Sequence, residues 1–294
     1  PLLKAKFDGS FQQTPSTYIW SRLKRVSSTR EAAGQKERMG YFVGSFAVLV
    51  DRLVERIEQS GSTVHTGSPV DQLVFADGRV TGVRIGGHET SLDAVIVTAP
   101  LPVLYGLVPK SYRERLNWPA TNEYLGTVCG LLLLDRRLTP YYTLNIADDE
   151  IPFTGLIETT NLIAPNHVGG YHLVYLPKYV AQDSPYLEKS DEELQNLYLS
   201  NLEHMFPAFN RSWVKQMFVF RERFVEPLHI IGRPSPALPI GSGIDGLFLV
   251  NNAQIYPELT NCQSSVRHAL KALPEIVGEH SVASSTERDL PASR

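Results

Sequence analysis

The sequence is poor in residues that cross-link a small protein or bind a structural metal. Among 294 residues there are two cysteines, Cys129 and Cys262, and they lie far apart along the chain. No cysteine and histidine cluster has the spacing of metal ligands, so a disulfide framework and a structural zinc site are both excluded. Unpaired cysteines are typical of a reducing compartment, and we therefore expect a cytoplasmic protein without a metal.

Long apolar runs and an excess of charge of one sign are also missing. No run approaches the roughly 18 apolar residues that predict a membrane span, and the first residues lack the pattern of a signal peptide. The 28 basic and 31 acidic residues give a net charge of −3, which argues against nucleic acid or an anionic membrane as the main partner. With 43% hydrophobic residues, the chain has enough apolar side chains for the core of one large or two modest domains. We expect a small molecule or another protein as its partner.

Residues 44–61 have the pattern of an amphipathic helix. Charged residues lie mostly on one face, and the apolar residues of the other face recur at three- and four-residue spacing. These apolar residues are Phe46, Leu49, Val50, Leu53, Val54 and Ile57. Ser45 is the predicted N-cap, because its hydroxyl can accept a hydrogen bond from a first-turn N–H. Gly61 is predicted to end the helix in the left-handed conformation.

From residue 63 to residue 100 the pattern changes to that of strands. Apolar or β-branched runs at 63–65, 70–75, 80–85 and 94–98 are separated by Asp77-Gly78 and Gly86-Gly87, which are predicted hairpin turns. The run 94–98 is almost wholly apolar, as expected for a strand covered on both faces. Together these segments predict an α/β sheet with a small β-meander laid on it.

The middle of the chain is more mixed and predicts an inserted α+β domain. Strand-like segments at 127–134, 154–158 and 170–176 precede a helix at 191–206, whose start carries the capping-box pair Ser190 and Glu193. A proline- and glycine-rich loop follows at 234–243. After it we predict a buried strand at 246–250, a helix at 264–273 that Pro274 ends, and a frayed tail at 281–294.

Motifs for nucleotide binding or covalent catalysis are weak. The one formal G-x-G-x-x-G match, from Gly241 to Gly246, opens a strand rather than a helix, so we interpret it as a turn. The chain has neither a Walker motif nor a Gly-x-Ser-x-Gly nucleophile elbow. The acidic run 148–150 is interpreted as a solvated loop rather than a cation site.

The segment that follows the strand 246–250 is more informative, because open α/β sheets place ligand-binding loops after such strands. Asn251, Asn252, Gln254 and Tyr256 supply hydrogen-bond donors and acceptors but no base that titrates near neutral pH. A ligand-binding loop and a hydrogen-bonded turn into the last helix are equally consistent with this composition. The N-terminus of that helix, near Asn261, is a candidate for contact with an anionic group. The residues alone thus indicate an α/β ligand-binding protein without a named reaction.

Four segments, in order, resemble the flavin-containing amine oxidoreductase superfamily, which includes monoamine oxidases, protoporphyrinogen oxidases and phytoene desaturases. The segments are 41–46, where Ser45 stands in place of the second glycine of the family's helix entry, then 67–73, 93–102 and 246–252. The resemblance implies an FAD-binding Rossmann-like sheet (residues 39–105 and 239–280). It also implies an inserted α+β substrate domain (106–238, with the helical segment 1–38) and a flexible tail (281–294).

The resemblance also implies which residues contact the cofactor. The main chain of Val70 would meet the adenine of FAD, and Thr98, Ala99 and Pro100 would lie beside the dinucleotide. Asn252 stands where the family has an acidic residue. The remaining implied contacts, near the ribityl chain or the flavin ring, are Asn251, Gln254, Tyr256 and Asn261. Neither cysteine lies at the usual flavin-linking position, so the FAD would be bound non-covalently.

The family's N-terminal G-x-G-x-x-G unit is not found, and the chain begins with Pro1 rather than Met. Residues 1–38 resemble the substrate-domain sequence that normally follows that unit. We therefore expect a truncated form of a longer flavoprotein, in which sheet edges and apolar surface are left uncovered. Such a chain would be marginally stable, self-associated, or dependent on a partner that supplies the nucleotide-binding unit.

The leading hypothesis from the resemblance is an FAD-dependent oxidoreductase that transfers a hydride equivalent from a small organic substrate to FAD. The substrate would enter between the FAD domain and the substrate domain, where an apolar wall would be formed by Tyr124, Leu131, Leu133, Tyr171 and Tyr175. A non-redox sugar mutase is one alternative, with phosphate-binding arginines chosen from Arg136, Arg137, Arg221 and Arg223. A non-catalytic remnant or accessory subunit that has lost FAD is the other.

Overall fold

A computed structural model describes residues 2–28, 40–119, 123–231 and 238–286. The helices in these ranges are α1 (Leu2–Phe7), α2 (Ser16–Ser28), α3 (Ser45–Gln59), α4 (Leu101–Leu107), α5 (Lys110–Arg113), α6 (Asp191–Met205) and α7 (Cys262–Thr286). The strands are β1 (Gln72–Ala76), β2 (Arg79–Ile85), β3 (His88–Ser91), β4 (Val95–Val97), β5 (Tyr124–Leu134), β6 (Thr143–Asn145), β7 (Gly155–Glu158), β8 (His172–Ala181), β9 (Val214–Pro227) and β10 (Leu247–Leu249). This mixed α/β architecture with several sheets confirms the predicted class.

The described residues form two compact units. Of the described residues, the first unit contains 2–14, 40–64 and 124–228, and the second contains 15–28, 65–119, 123, 229–231 and 238–286. The sequence-based domain boundary at 105 falls within α4, and the second unit includes both α4 and α5. The reason is packing, because Leu104 and Trp118 belong to the same apolar core as the strands β4 and β10.

The first unit is built on an antiparallel sheet in the order β6-β7-β8-β5-β9. Helix α6 packs Leu194, Tyr198 and Leu202 into the core on one face of this sheet. The predicted capping box is confirmed, because Ser190 accepts from the Glu193 N–H while the Glu193 carboxylate accepts from the Ser190 N–H. The sequence-based analysis missed β9, because apolar residues on both of its faces hide the two-residue alternation.

The second unit contains the meander β1-β2-β3 and the parallel pair β10-β4. The two predicted hairpin turns are confirmed: Asp77 and Gly78 have φ of 48° and 82°, and Gly86 and Gly87 have φ of 56° and 80°. Positive φ at both central residues matches the right-handed twist of the joined strands. No strand is present at 63–65.

Three expectations about single elements are corrected. Ile96 in β4 is 49% exposed, so this strand is not covered on both faces. Pro274 does not end the last helix, which continues to Thr286 and so includes the first part of the predicted tail. At the start of α3 the N-cap position is taken by Gly44, with φ of 88°, instead of Ser45. The hydrogen bond predicted for Ser45 is nevertheless present, since its hydroxyl accepts from the Ala47 N–H at 3.2 Å.

The apolar stripe of α3 is not buried. None of the side chains that the structure describes in this helix is buried, and Phe46, Val50 and Leu53 are each more than half exposed. The predicted glycine ending is confirmed, since Gly61 has φ of 86°. Within the described ranges, no helix has the combination of length and apolar character needed to cross a membrane.

Candidate functional site

The carboxyl ends of β4 and β10 lie side by side in the second unit. The strands pair in parallel from Val95 opposite Leu247 to Val97 opposite Leu249, and the Val250 N–H donates to the Val97 carbonyl at 3.0 Å. Ligands of open α/β sheets bind outside the carboxyl ends of parallel strands. This edge is therefore where a bound ligand is expected, and the segments that leave it are 98–100 and 251–254.

Asn251 ties these two segments together. Its side-chain Nδ2 donates to the Ala99 carbonyl at 2.9 Å, and its Oδ1 accepts from the Ala253 N–H at 3.0 Å. Only 7% of Asn251 is exposed. Because buried amide groups need hydrogen-bond partners, this geometry holds the loop after β10 against the end of β4.

Gln254 completes the turn. Its Oε1 accepts from the Asn251 N–H at 2.9 Å, and its Nε2 donates to the carbonyls of Leu238 and Pro239, both at 3.1 Å. The same Oε1 lies 2.9 Å from Nε2 of His268 in α7. Asn251 and Gln254 thus form a hydrogen-bonded turn, and their contact with a cofactor stays a prediction.

Tyr256 lies in a small polar cluster of the same unit. Its hydroxyl is 2.6 Å from Oγ1 of Thr17, and its ring centroid is 4.5 Å from that of His229. Beside it, the Ser21 hydroxyl donates to the Pro257 carbonyl at 2.6 Å, so α2 packs against this loop. Burial lowers the pKa of His229, which favours its neutral form. No local sequence signal connects His229 or Thr17 with Tyr256, because the contacts join distant parts of the chain.

Asn261 caps the last helix. Its Oδ1 accepts from the Ser264 N–H at 3.1 Å, while its own N–H donates to the Ser264 hydroxyl at 2.9 Å. The side chain also donates to the Leu259 carbonyl at 3.1 Å. These bonds explain why α7 begins at Cys262, and contact of this terminus with an anionic group stays a prediction.

The remaining predicted cofactor contacts lie around the strands of the second unit. Thr98 is exposed directly after β4, and Pro100 precedes the first turn of α4. Asn252 is half-buried in the turn after β10. Val70 precedes β1 and packs partly against the core of the unit. The structure thus brings Thr98, Ala99 and Asn251 to one sheet edge.

The glycine motif 241–246 is a turn, as predicted. Gly243 and Gly246 have φ of 84° and 74°, and the Ser242 N–H donates to the Leu247 carbonyl at 3.1 Å. A Cβ on Gly243 would lie 2.8 Å from Nδ2 of Asn117 and 2.9 Å from the Arg115 carbonyl oxygen. Glycine is needed here for both the backbone conformation and the close approach of a neighbouring chain segment.

The sheet of the first unit carries an apolar face opposite α6. In one row across the strands, Ile157 lies opposite Tyr175, Tyr175 opposite Leu131, and Leu131 opposite Phe218. We call this surface the apolar face. It comprises the residues of that row together with four from the neighbouring rows: Cys129, Leu133, Pro177 and Phe220. These side chains are half-buried or exposed, and Phe220 is 55% exposed.

Three members of the predicted wall, Leu131, Leu133 and Tyr175, thus lie together on this face. Burial raises the pKa of Tyr175, and electrostatic interactions with Tyr41, Cys129 and Tyr142 add to the effect. Burial also raises the pKa of Cys129 to about 11, so its thiol stays protonated. The hydroxyl of Tyr175 and the thiol of Cys129 are therefore neutral near pH 7.

The other two members differ. Tyr124 is 1% exposed and packs its ring edge to face against Phe224, with centroids 5.7 Å apart, so it belongs to the interior. Tyr171 precedes β8 and is 38% exposed. Tyr124 lies in β5 an odd number of residues from Leu131 and Leu133, so its side chain points to the opposite face of the sheet.

Three of the four arginines proposed for phosphate binding have partners within the protein. Arg221 donates to the Asp191 carboxylate at 2.6 Å and to the Lys189 carbonyl at 2.7 Å. Arg223 donates to Glu188 at 2.7 Å and to the Gln182 carbonyl. Arg136 pairs with Asp135 at 2.8 Å and lies over the Trp213 ring. These three guanidinium groups link neighbouring segments of the first unit.

Comparison with known proteins gives a match to one family. The model of the family described as flavin containing amine oxidoreductase matches residues 11–226. No curated protein gives a significant match.

Solved structures share the fold at low sequence identity. A protein of Exiguobacterium sp. 255-15, provisionally assigned as a protoporphyrinogen oxidase, aligns with a TM-score of 0.68 and 17% identity over 95% of this chain and 62% of its own. An oxidoreductase from Methanosarcina mazei aligns with a TM-score of 0.58 and 18% identity over 79% of this chain and 54% of its own. Reduced UDP-galactopyranose mutase aligns with a TM-score of 0.51 and 16% identity over 73% of this chain and 50% of its own. The chain thus spans between half and two thirds of these proteins.

Proposed function

The chain belongs to the flavin containing amine oxidoreductase family, and on that premise we propose that its gene product is an FAD-dependent oxidoreductase acting on an apolar organic substrate. The observation that carries the proposal is the parallel pair β4 and β10, whose carboxyl ends meet at one edge and are joined by Asn251. Crevices at such edges are the usual binding places of dinucleotides in α/β sheets.

The residues at this edge suit the uncharged part of FAD. Thr98 and Asn252 offer a hydroxyl and an amide, which match the hydroxyl groups of a ribityl chain and the polar atoms of a flavin ring. The remaining proposed contacts are those of Val70, Ala99, Pro100, Asn251, Gln254, Tyr256 and Asn261. Binding is proposed to be non-covalent, because neither free cysteine, Cys129 nor Cys262, lies at the flavin-linking position that the family resemblance implies. The bound flavin would supply the acceptor for a hydride equivalent, while the chain binds and orients both molecules.

The substrate is proposed to lie against the apolar face of the first unit. Its central row carries no charged side chain, and the thiol of Cys129 is held protonated by burial. Apolar surface that stays accessible in a folded unit is typical of a binding surface. Tyr175, within this row, supplies a neutral hydroxyl, which suits a substrate with a hydrogen-bonding group on an apolar body.

A sugar mutase is less well supported. Such an enzyme needs guanidinium groups for the phosphates of a nucleotide sugar. Arg136, Arg221 and Arg223 are instead paired with carboxylates of the same unit. The structural likeness to the mutase, at 16% identity, concerns the fold alone.

The test is the flavin content of the purified natural gene product that contains these 294 residues. We expect FAD that absorbs near the visible maxima of flavins and is released into the supernatant by acid, as non-covalent binding requires. Bleaching of that absorbance by an apolar donor without oxygen would establish oxidoreductase activity. A protein that neither retains nor binds added FAD would overturn the proposal in favour of a remnant or accessory subunit.

A further inference from the structure

We propose that His268 is a positioning residue for the cofactor edge, which acts through Gln254 to hold the turn 251–254 in the conformation that FAD requires. This inference rests on the proposed function. His268 lies in α7, and no sequence motif connects it with the strand end. Its imidazole nevertheless reaches this turn, with Nε2 at 2.9 Å from Oε1 of Gln254.

The orientation of the Gln254 amide is fixed by its main-chain neighbours. Its nitrogen faces two carbonyl oxygens, of Leu238 and Pro239, so the NH₂ group must lie on that side. Its oxygen faces the N–H of Asn251, so the acceptor must lie on the other side. Three main-chain groups therefore leave one orientation for this amide.

This orientation determines the protonation of His268. The Gln254 oxygen can only accept, so the imidazole nitrogen 2.9 Å from it must carry a hydrogen and donate. Burial, with a further contribution from Lys271, lowers the pKa of His268. The neutral ring with its proton on Nε2 is therefore the form that holds the turn.

A continuous chain of hydrogen bonds follows from these assignments. His268 donates to Gln254, whose oxygen also accepts from the Asn251 N–H, and Asn251 donates to the carbonyl of Ala99 at the end of β4. With both Asn251 and Gln254 buried, loss of one donor leaves an acceptor partly unsatisfied in a place that water cannot reach freely. The helix thereby restrains main-chain groups at the edge to which FAD is proposed to bind.

The experiment compares His268→Leu, which removes the donor, with His268→Gln, which keeps an N–H donor. Gln263→Leu, at an exposed position of the same helix, is the matched control. The first readout is amide hydrogen exchange at Asn251 in the purified chain without flavin. The second is the dissociation constant for FAD of the natural gene product.

We expect His268→Leu to speed exchange at Asn251 and to weaken FAD binding, each by about tenfold as for loss of one buried hydrogen bond. His268→Gln should bring both the exchange rate and the dissociation constant most of the way back to those of the unaltered protein. Gln263→Leu should change neither quantity. Unchanged exchange in His268→Leu would overturn the inference, as would faster exchange with an unaltered dissociation constant. If the unaltered protein binds no FAD, the proposed function fails, and the exchange experiment still reports separately whether His268 holds the turn.

Discussion

The side-chain amide of Asn251 donates a 2.9 Å hydrogen bond to the main-chain carbonyl of Ala99, a residue 152 positions earlier in the chain. This bond joins the segments that follow β4 and β10, two parallel strands whose ends form the candidate cofactor edge. Asn251 also caps the short turn that follows it. The residue expected to contact a ligand is thus also the one that builds the edge.

Replacement of Asn251 by alanine should destabilise the second unit. The change removes the bond to Ala99 and the cap on Ala253, which together predict a loss of about 2 kcal/mol in the free energy of unfolding. Thermal unfolding of the purified chain measures this loss. Asn145→Ala, at an exposed position, is the control and should leave the melting temperature nearly unchanged. Equal melting temperatures for the two variants would contradict the role assigned to Asn251.

Two glycines with similar backbone angles should differ in their tolerance of alanine. Gly87 has φ of 80° and open space where a Cβ would lie, so Gly87→Ala should cost about 1 kcal/mol from backbone strain alone. Gly243 has φ of 84°, and a Cβ there would be crowded by Asn117 and Arg115, so Gly243→Ala should cost roughly twice as much or more.

Chemical denaturation of both glycine variants measures the difference. When Gly243→Ala is combined with Asn117→Ala, part of the lost stability should be recovered, because the Asn117 amide is one of the two groups that crowd the added methyl group. The remainder should persist, because the other group is the main-chain oxygen of Arg115. Identical losses in Gly87→Ala and Gly243→Ala would show that the close approach has no energetic consequence.

The stability of the second unit should fall as the solution is acidified. Burial lowers the pKa of His229 in the folded state below its ordinary value, so the unfolded chain binds more protons at mildly acidic pH. The stabilisation is complete above the ordinary histidine pKa of about 6.5. It declines as the pH falls from there through the lowered pKa, and the lowered pKa of His268 acts in the same direction.

His229→Phe, which keeps a ring against Tyr256, should therefore reduce the dependence of the unfolding free energy on pH between about 7 and 5. Denaturant titrations at several pH values measure this slope. Asn145→Ala, at an exposed and non-titrating position in β6, serves as the control and should keep the slope of the unaltered chain. A slope that stays the same in His229→Phe would refute the assignment.

The apolar face should bind apolar ligands through exposed phenylalanines. Phe218 and Phe220 are 38% and 55% exposed, so replacing both with serine should lower affinity for a hydrophobic fluorescent dye several-fold. The melting temperature should change little, because exposed substitutions alter stability by about 0.5 kcal/mol or less. Tyr141→Ser removes an aromatic ring that is 61% exposed outside this face, and dye binding should be unaffected by it. Equal dye binding in both variants would argue against the face as a ligand surface.

Much of the local structure could be predicted because it depends on residues close in sequence. The helix at 45–59, the capping box of Ser190 and Glu193, and the turns at 77–78 and 86–87 all follow from local spacing, capping and glycine conformation. The same holds for β10 and for the turn at 241–246 that precedes it. In each case the deciding hydrogen bonds or backbone angles involve neighbours in the chain.

The sequence by itself determined these local elements and, through four ordered motifs, the family to which the chain belongs. Only the tertiary structure decided that Asn251 and Gln254 are bonded within the protein, that His268 completes their turn, and that Ile96 is half exposed. It also decided that α7 continues through Pro274 and that β9 forms the edge of the larger sheet. These features depend on partners far apart in sequence, and hydrogen-bonding side chains or apolar residues have no local pattern that identifies such partners.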